Sequence, residues 1–160
     1  MNMKGGLRLS FCMLLGSFLS LISLGGAAVH AAEVKLKAQL IWGTDGNKPP
    51  DANYKELDEA IKKKLCRVFK WKNYFEISQQ PATVTSAAPK RLKMSSKCEV
   101  EVRFVDDATL EVKLFGEGKL TKTVRQPLKS LTQGGIAVIA GDAKDNVDDA
   151  WFVVFSVPQT

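Results

Sequence analysis

Apolar and polar side chains alternate with a period of two over most of the chain beyond residue 33. Near the start of this part, Val34, Leu36 and Ala38 are separated by Lys35 and Lys37. Because successive side chains of a strand point to opposite faces, this pattern predicts strands with one buried face. The predicted strands cover residues 34–42, 71–77, 92–94, 98–104, 110–114 and 120–124.

One segment has helical spacing instead. Its apolar side chains recur every three or four residues, at Tyr54, Leu57, Ile61, Leu65 and Val68. Asn53 precedes the segment and Glu56 follows three residues later, an arrangement similar to a capping box. We therefore expect one amphipathic helix over about residues 54–69.

Two short runs near the end of the chain, Ile136–Ala140 and Trp151–Phe155, are apolar at every position. Strands that are apolar on both faces are covered on both sides. With one helix and about seven strands, the pattern predicts an α+β domain, in which a helix from the N-terminal half packs on a largely antiparallel sheet and the last strand is central. A β-sandwich with a helical insertion is the alternative.

The leading residues have the three parts of a secretory signal. Lys4 and Arg8 give a positive start, residues 11–24 are almost continuously apolar, and Ala31 and Ala32 offer small side chains at a cleavage site. We expect a signal peptide at 1–31 and a single domain at 32–160, exported to the periplasm or the cell exterior, with no stable membrane span after signal removal. An uncleaved anchor is the alternative, although the run is shorter than the roughly 20 apolar residues that cross a bilayer comfortably.

Removal of the signal also changes the available chemistry. It takes away the only histidine, His30, and lowers the formal net charge from +6 to +4. A chain without histidine cannot form a Ser-His-Asp or Cys-His system or a zinc site that contains histidine. We therefore expect a non-enzymatic protein with no catalytic residue, metal or cofactor; a hydrolase that uses paired carboxylates or a Ser-Lys pair is the alternative. Its mild positive charge favours solubility and does not indicate nucleic-acid binding.

Two cysteines remain in the mature chain, Cys66 and Cys98. In an oxidising compartment an even pair predicts one disulfide. Closing this loop would stabilise the fold by roughly 3–4 kcal/mol. The alternative is two buried thiols that act as small apolar side chains.

The densest basic segment lies at residues 62–74, where aromatic side chains are interleaved with lysines and an arginine. Such segments are typical of surfaces that contact anionic polymers, lipid headgroups or small anionic ligands. The candidate binding residues are Lys63, Arg67, Lys70, Lys72 and Tyr74. The same pattern is also typical of the solvent face of an amphipathic helix followed by a strand.

An acidic loop is predicted between the last two strands, with Asp142, Asp145, Asp148 and Asp149. Carboxylate-rich loops bind calcium in some extracellular proteins. The spacing differs from that of an EF-hand loop, so a solvated loop is the main interpretation and calcium the alternative.

Three glutamates, Glu99, Glu101 and Glu111, fall on the outward positions of neighbouring predicted strands. Paired carboxylates serve as acid and base in some enzymes. The default interpretation is exposed carboxylates that lie opposite Lys113 or Arg103, because nothing in the sequence indicates a cleft.

Four stretches of the chain resemble a loose group of exported bacterial single-domain proteins of unassigned function. They are Leu40–Thr44, Arg67–Tyr74, Ile139–Gly141 and Ala150–Val154. This resemblance implies export and a single domain, and it carries no catalytic residue over to this chain.

The function expected from the sequence is that of a non-enzymatic exported accessory or scaffold domain of the bacterial cell envelope. It would act through protein contacts at an exposed sheet edge or at the loop over residues 42–53. The alternative is a module that binds an anionic polymer or a small ligand through the basic segment at 62–74.

Overall fold

The computed structural model describes residues 32–47, 51–140 and 149–158. The predicted signal at 1–31 and three of the loop aspartates, Asp142, Asp145 and Asp148, lie outside the described residues. Over the described ranges the chain forms nine strands and two short helices, and strands account for 60% of it. Neither of these helices has the length and apolar composition that crossing a bilayer requires.

Five strands from both ends of the domain form the first sheet. They are β1 (Glu33–Thr44), β2 (Lys55–Glu56), β3 (Asn73–Thr85), β8 (Ile136–Ala140) and β9 (Ala150–Ser156), in the order β2-β3-β1-β9-β8. All neighbours are antiparallel. β9 is therefore internal, as its apolar run predicted, with Phe152 and Val154 on one face and Val153 and Phe155 on the other.

Four consecutive strands form the second sheet. They are β4 (Lys90–Lys93), β5 (Cys98–Asp106), β6 (Thr109–Gly116) and β7 (Lys119–Pro127), each paired antiparallel with the next. The β6–β7 hairpin turns at Glu117 and Gly118, whose φ angles of 51° and 79° lie in the left-handed region that a tight hairpin turn requires. The second helix, α2 (Leu128–Thr132), then leads the chain back to β8 of the first sheet.

The two sheets face each other and share the larger core. Alternate side chains of their strands point into it, in agreement with the period of two in the sequence. Its most buried members include Leu36, Ala38, Leu40, Val84, Val100, Val102, Leu110, Val112, Leu114, Ile139, Val153 and Phe155. Ser78 Oγ and Gln80 Nε2 of β3 also donate hydrogen bonds to carbonyls at the end of β4, at 2.6 and 2.5 Å, so that one edge is closed by polar contacts.

The first helix, α1 (Glu59–Leu65), lies on the opposite face of the five-stranded sheet. Ile61 and Leu65 pack there against Ile41, Phe152 and Val154. The five-stranded sheet is therefore the middle of three layers, between the four-stranded sheet and α1.

α1 begins later than predicted. Asp58, rather than Asn53, is its N-cap, and the Asp58 carboxylate accepts hydrogen bonds from the N–H groups of Ala60 and Ile61 at 2.9 and 3.3 Å. The preceding Lys55–Glu56 pairs with β3 as a short strand. This pairing with a distant part of the chain overrides the helical periodicity, as tertiary context commonly does.

The helix also ends earlier than predicted, at Leu65. The Leu65 carbonyl accepts hydrogen bonds from the N–H groups of both Val68 and Phe69 at 2.9 and 2.8 Å. These bonds form a turn that redirects the chain. The predicted helix over 54–69 is thus reduced to seven residues.

The predicted fold class is wrong. The chain is mostly β, with two antiparallel sheets, and is not an α+β domain with one sheet backed by a helix. A seven-residue helix extends only about 10 Å, whereas the longer strands of the second sheet extend about 26–30 Å. So short a helix covers part of one sheet face, and the apolar face of β5 and β6 has to be buried against another sheet. The β-sandwich considered as the alternative shares these two antiparallel sheets.

Candidate binding surface

The basic segment lies on the outer face of the five-stranded sheet, at the C-terminal end of α1. Three lysines occupy the last turn of this helix, where the helix dipole stabilises positive charge. Lys62 pairs with Glu59 at 3.5 Å, and Lys64 Nζ donates a hydrogen bond to the carbonyl of Gly134 at 2.5 Å. These two lysines therefore have partners within the molecule, whereas the side chain of Lys63 is exposed.

Beyond the helix, two aromatic residues anchor the segment to the sheet. Phe69 and Trp71 are half-buried and stack on each other, with 5.2 Å between ring centroids. Both also stack on Phe152 of β9, at 5.1 and 5.8 Å. Trp71 lies against Gly43 of β1, where an added Cβ atom would come within 2.6 Å of the indole ring. A glycine at position 43 is thus what allows the indole to approach β1.

The residues between and after these aromatics point the other way. Lys70 and Lys72 are exposed, as are the side chains of Lys63 and Arg67, and we call these four exposed cations of the segment the basic ridge. Among the described residues, none of the four forms an ion pair within 4.0 Å. The Lys72 N–H donates a hydrogen bond to the Asp45 carboxylate at 3.1 Å. The ridge is therefore a set of exposed charges on a backbone that is held in place.

Tyr74, the fifth candidate binding residue, does not belong to this surface. Its side chain is only 3% exposed and packs edge-on against Trp71 and Phe152. Its hydroxyl donates a hydrogen bond to the carbonyl of Phe69 at 3.4 Å. Burial, and to a smaller extent the neighbouring Cys66 thiol, raises the pKa of Tyr74 to about 12. Tyr74 thus packs beneath the segment and is not part of its exposed surface.

Val68 is the surface residue that the sequence pattern missed. Helical spacing placed it in the buried stripe, but α1 ends at Leu65 and Val68 is 72% exposed, more than any other large apolar side chain of the described residues. It lies in the chain between Arg67 and Lys70 of the basic ridge. No glycine or proline marks the end of the helix, so this turn had no local signal in the sequence.

Both cysteines of the predicted disulfide are free in the structure. Cys66 is exposed at the end of α1, whereas Cys98 is buried in the core between the two sheets. The five-stranded sheet separates these two locations. Burial, and to a smaller extent Glu99, raises the pKa of the Cys98 thiol to about 11. The alternative of buried thiols therefore applies to Cys98 and does not apply to Cys66.

Carboxylates on the outer face of the four-stranded sheet are held in ion pairs. Glu101 faces Lys113 at 3.4 Å and Glu111 faces Arg103 at 2.7 Å, in the register expected from the sequence. Glu111 also contacts Arg125 at 3.3 Å and is buried, against the expectation of an exposed carboxylate. The hydrogen bond from Arg103, helped by Arg125, lowers the pKa of Glu111 although burial acts in the opposite direction. Such a carboxylate stays ionised at neutral pH and is unsuited to act as a general acid.

Within the described ranges, no three His, Cys, Asp or Glu side chains lie together in a way that could hold a metal ion. The calcium hypothesis rested on the acidic loop, of which only Asp149 is described. It therefore stays a prediction.

The described surface has hollows of two kinds, one narrow and one open. One, of about 80 Å³, lies beside α1 between Glu56, Glu59 and Lys62. The other, of about 400 Å³, is an open groove that has Lys35 and Lys90 as its charged groups. Sites for organic ligands are commonly about 300–1,000 Å³ and combine apolar walls with convergent polar groups. The first hollow is too small for such a ligand. The second is large enough, but it is an open groove and does not enclose a ligand between convergent polar groups.

Comparisons of the chain with protein-family models, with curated proteins and with solved structures found no match.

Proposed function

We propose that this protein is a non-enzymatic binding domain of the bacterial cell envelope, exported with the help of its leading segment, that docks on an anionic surface through the basic ridge. The supporting observation is the ridge itself. Its four cations are exposed, lack ion-pair partners among the described residues, and stand on a backbone fixed by aromatic stacking.

Four cations of the four-stranded sheet provide a contrast. Arg91, Arg103, Lys113 and Arg125 all lie within 4.0 Å of a carboxylate on the same sheet face. The ridge cations have no such neutralisation, so neighbouring charges repel one another, and an anionic partner would relieve that repulsion. Docking of this kind releases counterions and weakens as salt is added.

Chromatography of the mature domain on phosphocellulose at increasing salt tests the proposal. The test variant carries Lys63→Gln, Arg67→Gln, Lys70→Gln and Lys72→Gln. The matched control carries Lys90→Gln, Lys93→Gln, Lys119→Gln and Lys122→Gln, at exposed lysines without described ion pairs. Both variants lose the same formal charge, so the comparison isolates the position of the charges.

We expect the ridge variant to elute at much lower salt than the wild type, and the control variant to elute close to it. The slope of log affinity against log salt should fall by roughly one for each phosphate that the variant no longer neutralises. Equal retention of both variants would contradict the proposal, because net charge alone would then explain binding.

Protein contacts are the second candidate function, and edge strand β8 favours it. Natural sheets protect their edges with charged residues and proline. The other edges have such residues: Lys90, Arg91 and Lys93 in β4, Lys119, Lys122 and Arg125 in β7, and Lys55 and Glu56 in β2 together with Pro81 in the part of β3 that extends beyond β2. β8 consists of Ile136–Ala140 and has neither a charge nor a proline. It is therefore the described edge best suited to accept a strand of a partner protein.

This second candidate predicts binding that resists salt. Val138→Lys would place a charge on the half-buried outer face of β8. In sedimentation with purified envelope fragments at high salt, Val138→Lys should lose binding and the ridge variant should keep it. Undiminished high-salt binding of a folded Val138→Lys protein would remove β8 as the contact.

A further inference from the structure

We infer that the anionic surface is a lipid bilayer, and that the basic ridge contacts its phosphate headgroups while Val68 enters the boundary between headgroups and acyl chains. This inference rests on the proposed function and names the partner of the same surface. It is carried by the position of one exposed apolar side chain among unpaired cations.

The first step is the direction of the side chains. From Val68 to Lys72 exposure alternates: Val68, Lys70 and Lys72 are exposed, whereas Phe69 and Trp71 are half-buried and stack toward the sheet. Val68 and the two lysines are therefore the solvent-exposed side chains of this stretch, opposite the two aromatic rings that face the sheet.

The second step is the chemistry that suits this combination. An anionic polymer in solution would attract the cations and gain little from a valine. A bilayer provides both parts, since its headgroups attract cations and its acyl boundary accepts an apolar side chain. The aliphatic stems of lysine can lie along the boundary while their ammonium groups reach the phosphates.

The third step is that the surface is already formed. Val68 N–H bonds to the Leu65 carbonyl, Lys72 N–H bonds to Asp45, and Trp71 lies against Gly43. Docking would therefore order little additional backbone, which reduces the entropic cost of binding. A ridge fixed in this way also sets one orientation of the domain, with α1 toward the bilayer and the four-stranded sheet away from it.

The test is co-sedimentation of the mature domain with vesicles of phosphatidylcholine alone or mixed in equal parts with phosphatidylglycerol. We expect binding to the mixed vesicles only. Each ridge lysine changed to Gln should weaken binding roughly fivefold, and Val68→Ser should weaken it about tenfold. Because Val68 is 72% exposed, Val68→Ser should unfold at the wild-type temperature and elute from phosphocellulose at the wild-type salt concentration.

The outcomes separate this inference from the proposed function. Wild-type retention on phosphocellulose without binding to mixed vesicles would overturn the lipid inference and leave anionic docking in place. Vesicle binding by Val68→Ser equal to that of the wild type would also overturn it, since the apolar contact would then be absent. Vesicle binding and resin retention that are both unaffected in the ridge variant would overturn the two proposals together.

Discussion

The outer faces of the two sheets differ in composition and in what covers them. The outer face of the five-stranded sheet carries apolar side chains, among them Ile41, Phe152 and Val154, and is covered by α1 and the aromatic residues that follow it. The outer face of the four-stranded sheet carries ion pairs such as Arg91–Glu99 and Lys113–Glu101 and is open to solvent. The identity of the alternate residues in a strand therefore indicates whether that face is covered or open to solvent.

This difference also predicts where stability resides. Burial of apolar area is the dominant favourable term in folding, whereas an exposed ion pair contributes about 0–1 kcal/mol. We therefore expect the five-stranded sheet to tolerate little change on either face. The outer face of the four-stranded sheet should tolerate much more, and the following predictions test the contrast from the largest effect to the smallest.

Phe152→Ala is expected to have the largest effect. Phe152 is fully buried on the outer face of the five-stranded sheet and lies under both Phe69 and Trp71. Its removal leaves a cavity, and we expect a loss of about 3–5 kcal/mol in the free energy of unfolding, measured by urea denaturation.

Phe115→Ala is the matched control on the other sheet. Phe115 is half-buried on the solvent face, where the Arg91 guanidinium lies 4.4 Å from its ring centroid. A cation–π contact at such a site contributes about 0.5–1 kcal/mol, so the expected loss is far smaller than for Phe152. Similar losses for the two phenylalanines would contradict the proposed difference between the sheets.

The rates at which Cys66 and Cys98 react with a thiol reagent report on the two faces of the five-stranded sheet. At pH 8, we expect a thiol reagent to modify Cys66 in the native protein and to modify Cys98 at least about a hundredfold more slowly, because burial raises the pKa of the Cys98 thiol to about 11. Denaturation should make both react. A denatured, unreduced protein with no reactive thiol would show that the disulfide forms after all.

Gly43→Ala tests the close approach between β1 and Trp71. The added methyl group would lie 2.6 Å from the indole ring, so Trp71 has to move, and we expect a loss of about 1–3 kcal/mol in unfolding free energy. In a Trp71→Ala background the same substitution should cost much less. An equal cost in both backgrounds would mean that strain elsewhere in β1, and not the indole, explains the effect.

Much of the local structure could be predicted from the sequence. The period of two identified β1 and β5, and the apolar run at Trp151–Phe155 indicated a strand covered on both sides. The number of sheets could not be predicted, because alternation shows that a face is buried and does not show what buries it. The length of α1 was predicted wrongly for a related reason, because Lys55 and Glu56 pair with Glu76 and Phe75 of β3, which lie beyond the helix in the sequence.

The residues of the candidate surface were also predicted only in part. The four ridge cations were identified from composition, because lysine and arginine are seldom buried. Tyr74 and Val68 were each assigned to the wrong environment. The error for Val68 follows from a helix that ends at Leu65 without a glycine or proline to mark the turn. The error for Tyr74 has another cause, because Tyr74 lies in β3 and is buried in the apolar cluster beneath α1.

The pH dependence of the melting temperature of Glu111→Gln tests the contribution of the charged face of the four-stranded sheet. The lowered pKa of Glu111 means that its ionised form is stabilised by folding. The stabilisation is complete above its ordinary pKa of 4.5 and is lost as the pH falls through the lowered value. At pH 7 we therefore expect Glu111→Gln to lower the melting temperature by a few degrees, since Arg103 and Arg125 lose their shared carboxylate partner.

The difference in melting temperature between the wild type and Glu111→Gln should shrink steadily as the pH is lowered below 4.5. Glu117→Gln is the matched control, because Glu117 pairs with Lys97 at 3.6 Å with both side chains largely exposed. Glu117→Gln should have the same melting temperature as the wild type at every pH. A Glu111 effect that stays constant down to the acid limit would show that the side chain acts through its shape and neutral hydrogen bonds. The open sheet face would then be held by packing, as the covered one is, and the contrast between the two sheets would lose its electrostatic part.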